Sequence, residues 1–226
     1  MAKVDGPRKI IAQTVREQTY AQLKELIVKG HFQLNYRFDL NQLSKELGIS
    51  KTPLGEAIRQ LESEGLLVVK PRSGTYLNPL TLEDVTKAFE MRQVLEVGSA
   101  SNVMRHITDQ DLQSIRAIHR QMKELLENGQ YQSIIDEFIE LDKKLHMEIV
   151  GLSGLNMLSE MYDQINTLLM VSRVRKEFLP KDSEDTIHEH EAIIAALSDR
   201  DENTYRTAVQ THIQGAIQRL KTAIVD

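Results

Sequence analysis

At 226 residues the chain can hold one large or two modest domains, and its 41% hydrophobic and 27% charged residues exclude a disordered class. It has no Cys, which excludes a disulfide framework and a thiolate metal site, and its longest apolar stretches, such as residues 192–197, fall far short of the ~20 residues a bilayer crossing needs. The net charge of −5 is unevenly spread: residues 1–78 carry 12 Lys and Arg against 8 Asp and Glu, whereas residues 79–226 carry 16 against 25. A basic front on an acidic body suits a chain that lays only its N-terminal part on a polyanion.

Residues 1–11, MAKVDGPRKII, lack the apolar run of a secretory signal and read as a flexible arm, so the expectation is a cytoplasmic protein with no membrane partner. A helix is expected from there to about Gly30, because Tyr20, Leu23, Ile27 and Val28 recur at helical spacing and Gly30 supplies a stop. Asp39 with Gln42 three residues on reads as a capping box that opens a second helix with Leu40, Leu43 and Leu47 as its buried stripe. Gly48 then turns the chain into a third helix starting at Ser50 or Thr52. Its Leu54, Ala57, Ile58 and Leu61 face inward; Lys51, Thr52, Gly55, Glu56, Arg59 and Gln60 face outward. After Gly65, residues 66–69 and 75–77 read as paired strands joined by Lys70, Pro71, Arg72, Ser73 and Gly74.

That order is a winged helix-turn-helix, whose third helix enters the major groove of a double-stranded DNA operator. Lys51 and Arg59 can donate to phosphates or guanine, and Thr52 can meet a phosphate or a thymine methyl. Arg72, Ser73 and Gly74 form a basic, flexible wing tip over the backbone or minor groove. We therefore assign 1–78 to a DNA-binding domain.

Asn78, Pro79 and Leu80 read as a linker, and Thr81 with Asp84 three residues on begins a new helix. Helices are expected at 81–105, 109–127, 131–151, 155–176, 183–198 and 201–223, separated by breaks that include Pro180. The expected fold class is mainly α: the winged domain followed by an antiparallel all-helical bundle over 79–226. Within that bundle, Asp142 and His146 are four residues apart and leave one helix face, while His190 and His212 lie on two later helices beside apolar neighbours. One carboxylate and three imidazoles suit Zn²⁺, Ni²⁺, Mn²⁺ or Fe²⁺, although by spacing alone such residues are more often ordinary core or surface than ligands. His188 points about 200° away from His190 around its helix, and His31, His106 and His119 match no position of the set. Met147, Met157, Met161 and Met170 read as core filler.

The stretch LSKELGISKTPLGEAIRQLESEGLLVVKPRSGTYL resembles the winged helix-turn-helix of the GntR superfamily of bacterial transcription regulators, with the likeness running from Arg16 to Leu77. Two positions depart from the family pattern: Lys51 stands where an Arg is usual, and PLGEAI replaces PVREAL, so Gly55 takes the place of an Arg often used on DNA. FEMRQVLE, DKKLHMEIVGLSGLN, EHEAIIAAL and the terminal His212 resemble the helical ligand-binding FCD domain of the FadR branch. In metal-binding members an Asp and three His hold a divalent ion, and these map onto Asp142, His146, His190 and His212. The resemblance implies that Arg92 pairs with the carboxylate of a small organic acid, unless it is only an ion-pair partner for Glu96, and that the bend at Asn156 borders the cavity. Arg173, after an apolar run, is the candidate second carboxylate partner.

The function expected is a homodimeric regulator, a repressor rather than an enzyme, whose operator binding answers to a carboxylate metabolite at a divalent metal. Dimerisation is expected because two half-sites multiply one module's limited readout. Two alternatives stay open: a metal sensor with the ion as signal, and a helical metalloenzyme. Against catalysis, a di-iron site needs paired Glu-x-x-His helices and two further Glu, whereas the chain offers only Asp185-x-x-His188 in that spacing.

Overall fold

The computed structural model describes residues 13–33, 35–128, 131–173 and 180–222, so the expected N-terminal arm and the side chain of Arg173 lie outside the described residues. The chain divides after Pro79 into two units. In the first, α1 (Val15–Val28) begins at Thr14, whose hydroxyl accepts from the Glu17 amide while the Glu17 carboxylate accepts from the Thr14 amide. Gly30 follows in the left-handed region, at φ +72°. Then come β1 (Arg37–Phe38), α2 (Leu40–Glu46), α3 (Lys51–Ser63), β2 (Leu67–Lys70) and β3 (Gly74–Leu77).

The sequence reading anticipates β2 and β3 but not β1, which at two residues is too short to show alternation. It pairs antiparallel with β3, Arg37 opposite Tyr76, in a sheet of order β1-β3-β2. Asp39 does cap α2, accepting from the Asn41 and Gln42 amides, but the box is not closed, because the Gln42 side chain donates to Glu46 instead. The expected stripe of Leu40, Leu43 and Leu47 is only half-buried. The core of this unit is built by Leu23 and Ile27 of α1, Leu54, Ala57, Ile58 and Leu61 of α3, and Phe38, Leu66, Leu67 and Leu77. Each fully buried Leu or Ile contributes roughly 1.5–3 kcal/mol, so this core fixes which face of α3 remains outside.

The second unit is helical: α4 (Leu82–His106), α5 (Asp109–Asn128), α6 (Tyr131–Gly151), α7 (Asn156–Arg173), α8 (Pro180–Ser198) and α9 (Glu202–Thr222). Thr81 and Asp84 close the capping box of α4 in both directions. The expected end of the fourth bundle helix, 174–176, lies outside the described residues. Pro180, expected as a break, is instead the first residue of α8, a position where a missing N–H costs nothing. Helix α4 packs on α6, α7 and α9, and α8 packs on α5 and α9. Ala100, Val103, Ile115, Met122, Leu145, Ile149, Ile193, Leu197, Val209 and Ile213 form the centre of one apolar core. Of the methionines read as filler, Met170 is buried, but Met157 and Met161 are 76% and 44% exposed on α7.

Candidate functional site

On the N-terminal unit, Ser50 stands at the N-cap of α3, which leaves Lys51 and Thr52 in its first turn, and these two are exposed together with Arg59. Gly55 is half-buried between them, and a Cβ built there meets only the Arg59 guanidinium at 3.9 Å, an ordinary contact. At the wing, Arg72 and Ser73 are exposed, and the Ser73 hydroxyl lies 2.8 Å from the Tyr76 hydroxyl. Gly74 has φ +137°, and a Cβ there would come within 2.9 Å of Arg37 Nε, so its missing side chain makes room for Arg37. Arg37 thus joins the wing's cations, a placement hidden until β1 was seen to pair with β3.

In the helical unit, α6 presents Asp142 and His146 one turn apart, α8 presents His190 and α9 presents His212. All four are buried, and one donor atom from each lies within 4.8 Å of the others. His146 Nε2 and His190 Nε2 are 3.0 Å apart, and Asp142 Oδ1 is 3.4 Å from His190 Nε2 and 3.9 Å from His146 Nε2. The outer nitrogens of two rings face carboxylates. His146 Nδ1 is 3.1 Å from Glu96 Oε2, and His212 Nδ1 is 2.8 Å from Glu189 Oε2.

A carboxylate only accepts, so both Nδ1 atoms carry the hydrogen and both Nε2 atoms keep a lone pair. One N–H on His190 Nε2 can serve His146, but His212 Nε2 has no hydrogen-bond partner among the described residues. Inward-facing lone pairs beside a carboxylate fit a divalent cation, with the outer carboxylates orienting the rings as second-sphere partners do.

Electrostatics agrees with that donor set. Burial first, then the Arg92 cation, push His146 down from 6.5 to about 4, and burial pushes His212 down to about 3. Both imidazoles are therefore neutral at physiological pH, the form that binds a metal. Burial alone would raise Glu189, but hydrogen bonds from Arg219 and His212 overcome it and hold the carboxyl at about 2. Glu96 is likewise held well below the usual range, with His146 and Arg92 outweighing its burial.

Arg92 and Glu96 form the anticipated ion pair, Nε to Oε1 at 2.7 Å, and Tyr162 donates to the same oxygen at 2.5 Å. Arg92 Nη1 is 3.8 Å from Asp142 Oδ2, while Arg92 Nη2 is a buried donor without a hydrogen-bond partner among the described residues. An unsatisfied donor of this kind costs about 1–3 kcal/mol, and an anionic ligand would satisfy it. With neutral imidazoles, Arg92 faces Glu96 and Asp142; a divalent ion would turn that negative excess into a positive one.

The structure thus brings together Arg92, Asp142, His146, His190 and His212, and it leaves Asn156 exposed in the first turn of α7. Asn166, nearly three turns further along, is the buried amide on that helix. Sequence reasoning missed it, together with Tyr162, Glu189 and Arg219, because residues on different helices carry no spacing signal. His188 is exposed, as its angle around the helix required; His119 is buried, its Nε2 3.2 Å from the Ile187 carbonyl.

Two family models match this arrangement. The FCD domain matches residues 87–215, and the model described as bacterial regulatory proteins, gntR family, matches residues 15–77. The chain belongs to the GntR family, with an FCD domain. It is 27% identical over 204 residues to the HTH-type transcriptional regulator YdhC of Bacillus subtilis, covering 90% of each chain. It is 26% identical over 205 residues to the HTH-type transcriptional repressor RspR of Escherichia coli, covering 89% of this chain and 87% of that one. It is 28% identical over 190 residues to the Nta operon transcriptional regulator of Aminobacter aminovorans, covering 84% and 86%. Among solved structures, E. coli McbR/YncC shares the fold at a TM-score of 0.74 and 21% identity, covering 93% of this chain and 99% of that one. The GntR protein is a DNA-binding transcription regulator and not an enzyme, and no helix among its described residues is long and apolar enough to cross a membrane.

Proposed function

We propose that this GntR protein is a cytoplasmic, homodimeric repressor whose grip on a pseudo-palindromic operator is set by a small carboxylate at a divalent metal in the FCD domain. The observation that carries the metal reading is the pair of carboxylate-backed histidines, His146 and His212, whose Nε2 atoms face inward beside His190 and Asp142. Asp142, His146, His190 and His212 would hold the ion, which supplies a positive centre that a carboxylate oxygen can meet. Arg92 Nη2 is the donor for the rest of that anion.

Lys51, Thr52 and Arg59 read the major groove, while Arg72, Ser73 and Gly74 place the wing. The repressor sign is supported by the likeness to RspR, itself named a transcriptional repressor. Dimerisation is supported by exposed Met91 and Val94 on α4 and Met157 and Met161 on α7, two helices that pack on each other. The acid acts by binding the DNA-incompetent arrangement more tightly, since equal affinity for both arrangements shifts nothing.

The test pairs metal analysis of the purified protein with titration of operator affinity by a panel of small organic acids, in wild type and Arg92→Ala. One ion per chain and an acid response that Arg92→Ala abolishes are expected. An unchanged response in Arg92→Ala would remove that residue from the mechanism.

A further inference from the structure

Glu189 precedes His190 directly, and the two side chains do different work: His190 joins the inward donor set, while Glu189 reaches across to α9. There its Oε2 accepts from His212 Nδ1 at 2.8 Å. Arg219, two turns further along α9, clamps the same carboxylate with both arms of its guanidinium, Nη1 to Oε1 at 2.7 Å and Nη2 to Oε2 at 2.8 Å. Between them, Gly215 leaves the volume this bridge occupies, since a Cβ there would strike Glu189 Oε1 and come within 3.0 Å of Arg219 Nη1. Two buried ring nitrogens of the cluster, His212 Nε2 and His190 Nδ1, have no hydrogen-bond partner among the described residues.

We infer that Glu189, aimed by Arg219 and given room by Gly215, is a positioning residue that fixes the ring orientation and Nδ1–H tautomer of His212 for metal binding. The inference rests on the metal reading of the Asp142, His146, His190 and His212 cluster. Its chemistry is the hydrogen bond itself. A ring free to choose its tautomer places N–H on the inward nitrogen for part of the time and turns away from the site, and both reduce metal affinity. Glu96 does the same for His146 but is shared with Arg92 and Tyr162, whereas among the described residues the Glu189 carboxylate pairs only with His212 and Arg219. Glu189 therefore tunes the metal apart from the Arg92 donors.

Gly215 permits a clean test. The atoms a new methyl would strike are the ends of two flexible side chains, so Gly215→Ala displaces the bridge and leaves the backbone in place. Ala is also the better helix former, so the variant perturbs the tautomer lock without weakening α9.

The experiment measures the affinity of full-length, metal-stripped protein for Zn²⁺ by chelator competition and records the visible spectrum of the Co²⁺ form. The variants are wild type, His190→Ala, Glu189→Gln and Gly215→Ala, each with a melting temperature for the stripped form. Wild type binds and His190→Ala loses binding if the cluster is the metal site. Glu189→Gln and Gly215→Ala should then weaken Zn²⁺ binding by about 10–100-fold and alter the Co²⁺ bands, while the stripped Gly215→Ala keeps a cooperative melt. Wild-type affinity and spectrum in Glu189→Gln would overturn the inference while leaving the metal site standing. Wild type that binds no metal, or His190→Ala that binds as well, would overturn both.

Discussion

The two units keep their functional charges in opposite conditions. On the DNA-reading unit, Lys51, Arg59 and Arg72 are exposed on one helix and a wing tip, where solvent screens them and their removal leaves nothing buried and unpaired. In the helical unit, Arg92, Glu96, Asp142 and three histidines are almost completely buried and compensate one another through short contacts. The difference separates function from stability: removing one of these charges from the first unit should alter DNA binding alone, while removing one from the second should alter the fold as well as the ligand.

The largest effect should come from Glu96→Ala. It strands Arg92 and removes the acceptor for His146 and Tyr162, so we expect a loss of about 3–5 kcal/mol in the urea unfolding of metal-stripped protein. Arg59→Ala in the other unit should shift unfolding by no more than about 0.5 kcal/mol while weakening operator binding. Similar unfolding of the two variants would erase the contrast.

Acid should sharpen it next. His146 and His212 have folded values of about 4 and about 3 against an ordinary 6.5, so the unfolded chain binds protons first as pH falls. The stability of the stripped protein is therefore fully present above 6.5 and declines towards pH 4, by up to about 1.4 kcal/mol per pH unit for each histidine. Glu189, held at about 2 against 4.5, continues the loss in the same direction below 4.5. Urea midpoints between pH 7 and 4 follow this directly; a flat profile would mean that these rings are not buried neutral.

A surface test comes third. Val94 is 61% exposed on α4, and a charge there belongs in solvent, not in an apolar interface. Val94→Asp should yield a monomer by sedimentation with unfolding in the stripped state little changed; an intact dimer would place the interface elsewhere.

The smallest expected effect is Gly55→Arg, which restores the family's cation at a half-buried position where an added Cβ meets only an ordinary contact. It should steepen the dependence of log affinity on log salt by about one and add roughly 0.5–1 kcal/mol of helix stability. An unchanged slope would mean that this position does not face DNA.

Much of this contrast was legible before the structure. The recognition helix announced itself through Leu54, Ala57, Ile58 and Leu61, because a 3.6-residue period fixes both a buried and an exposed face. The metal set was legible for a weaker reason: Asp142 and His146 share a face by spacing, but His190 and His212 joined them only through family resemblance. What stayed hidden depends on how helices pack. Glu189 reaches His212 across 23 residues of sequence, and Asn166 rather than Asn156 is buried, because helix rotation is set by the core. Strand β1 stayed hidden because its pairing with β3 defines it, not its own two residues.

On this reading the buried cluster is a metal centre through which a carboxylate controls DNA reading. Its most direct test is operator affinity, measured by fluorescence anisotropy with and without the most potent acid of the panel, on metal-loaded and metal-stripped protein. Acid should release the operator from the loaded protein and have little effect on the stripped one. Equal release from both, or no release from protein shown to carry its ion, would contradict it.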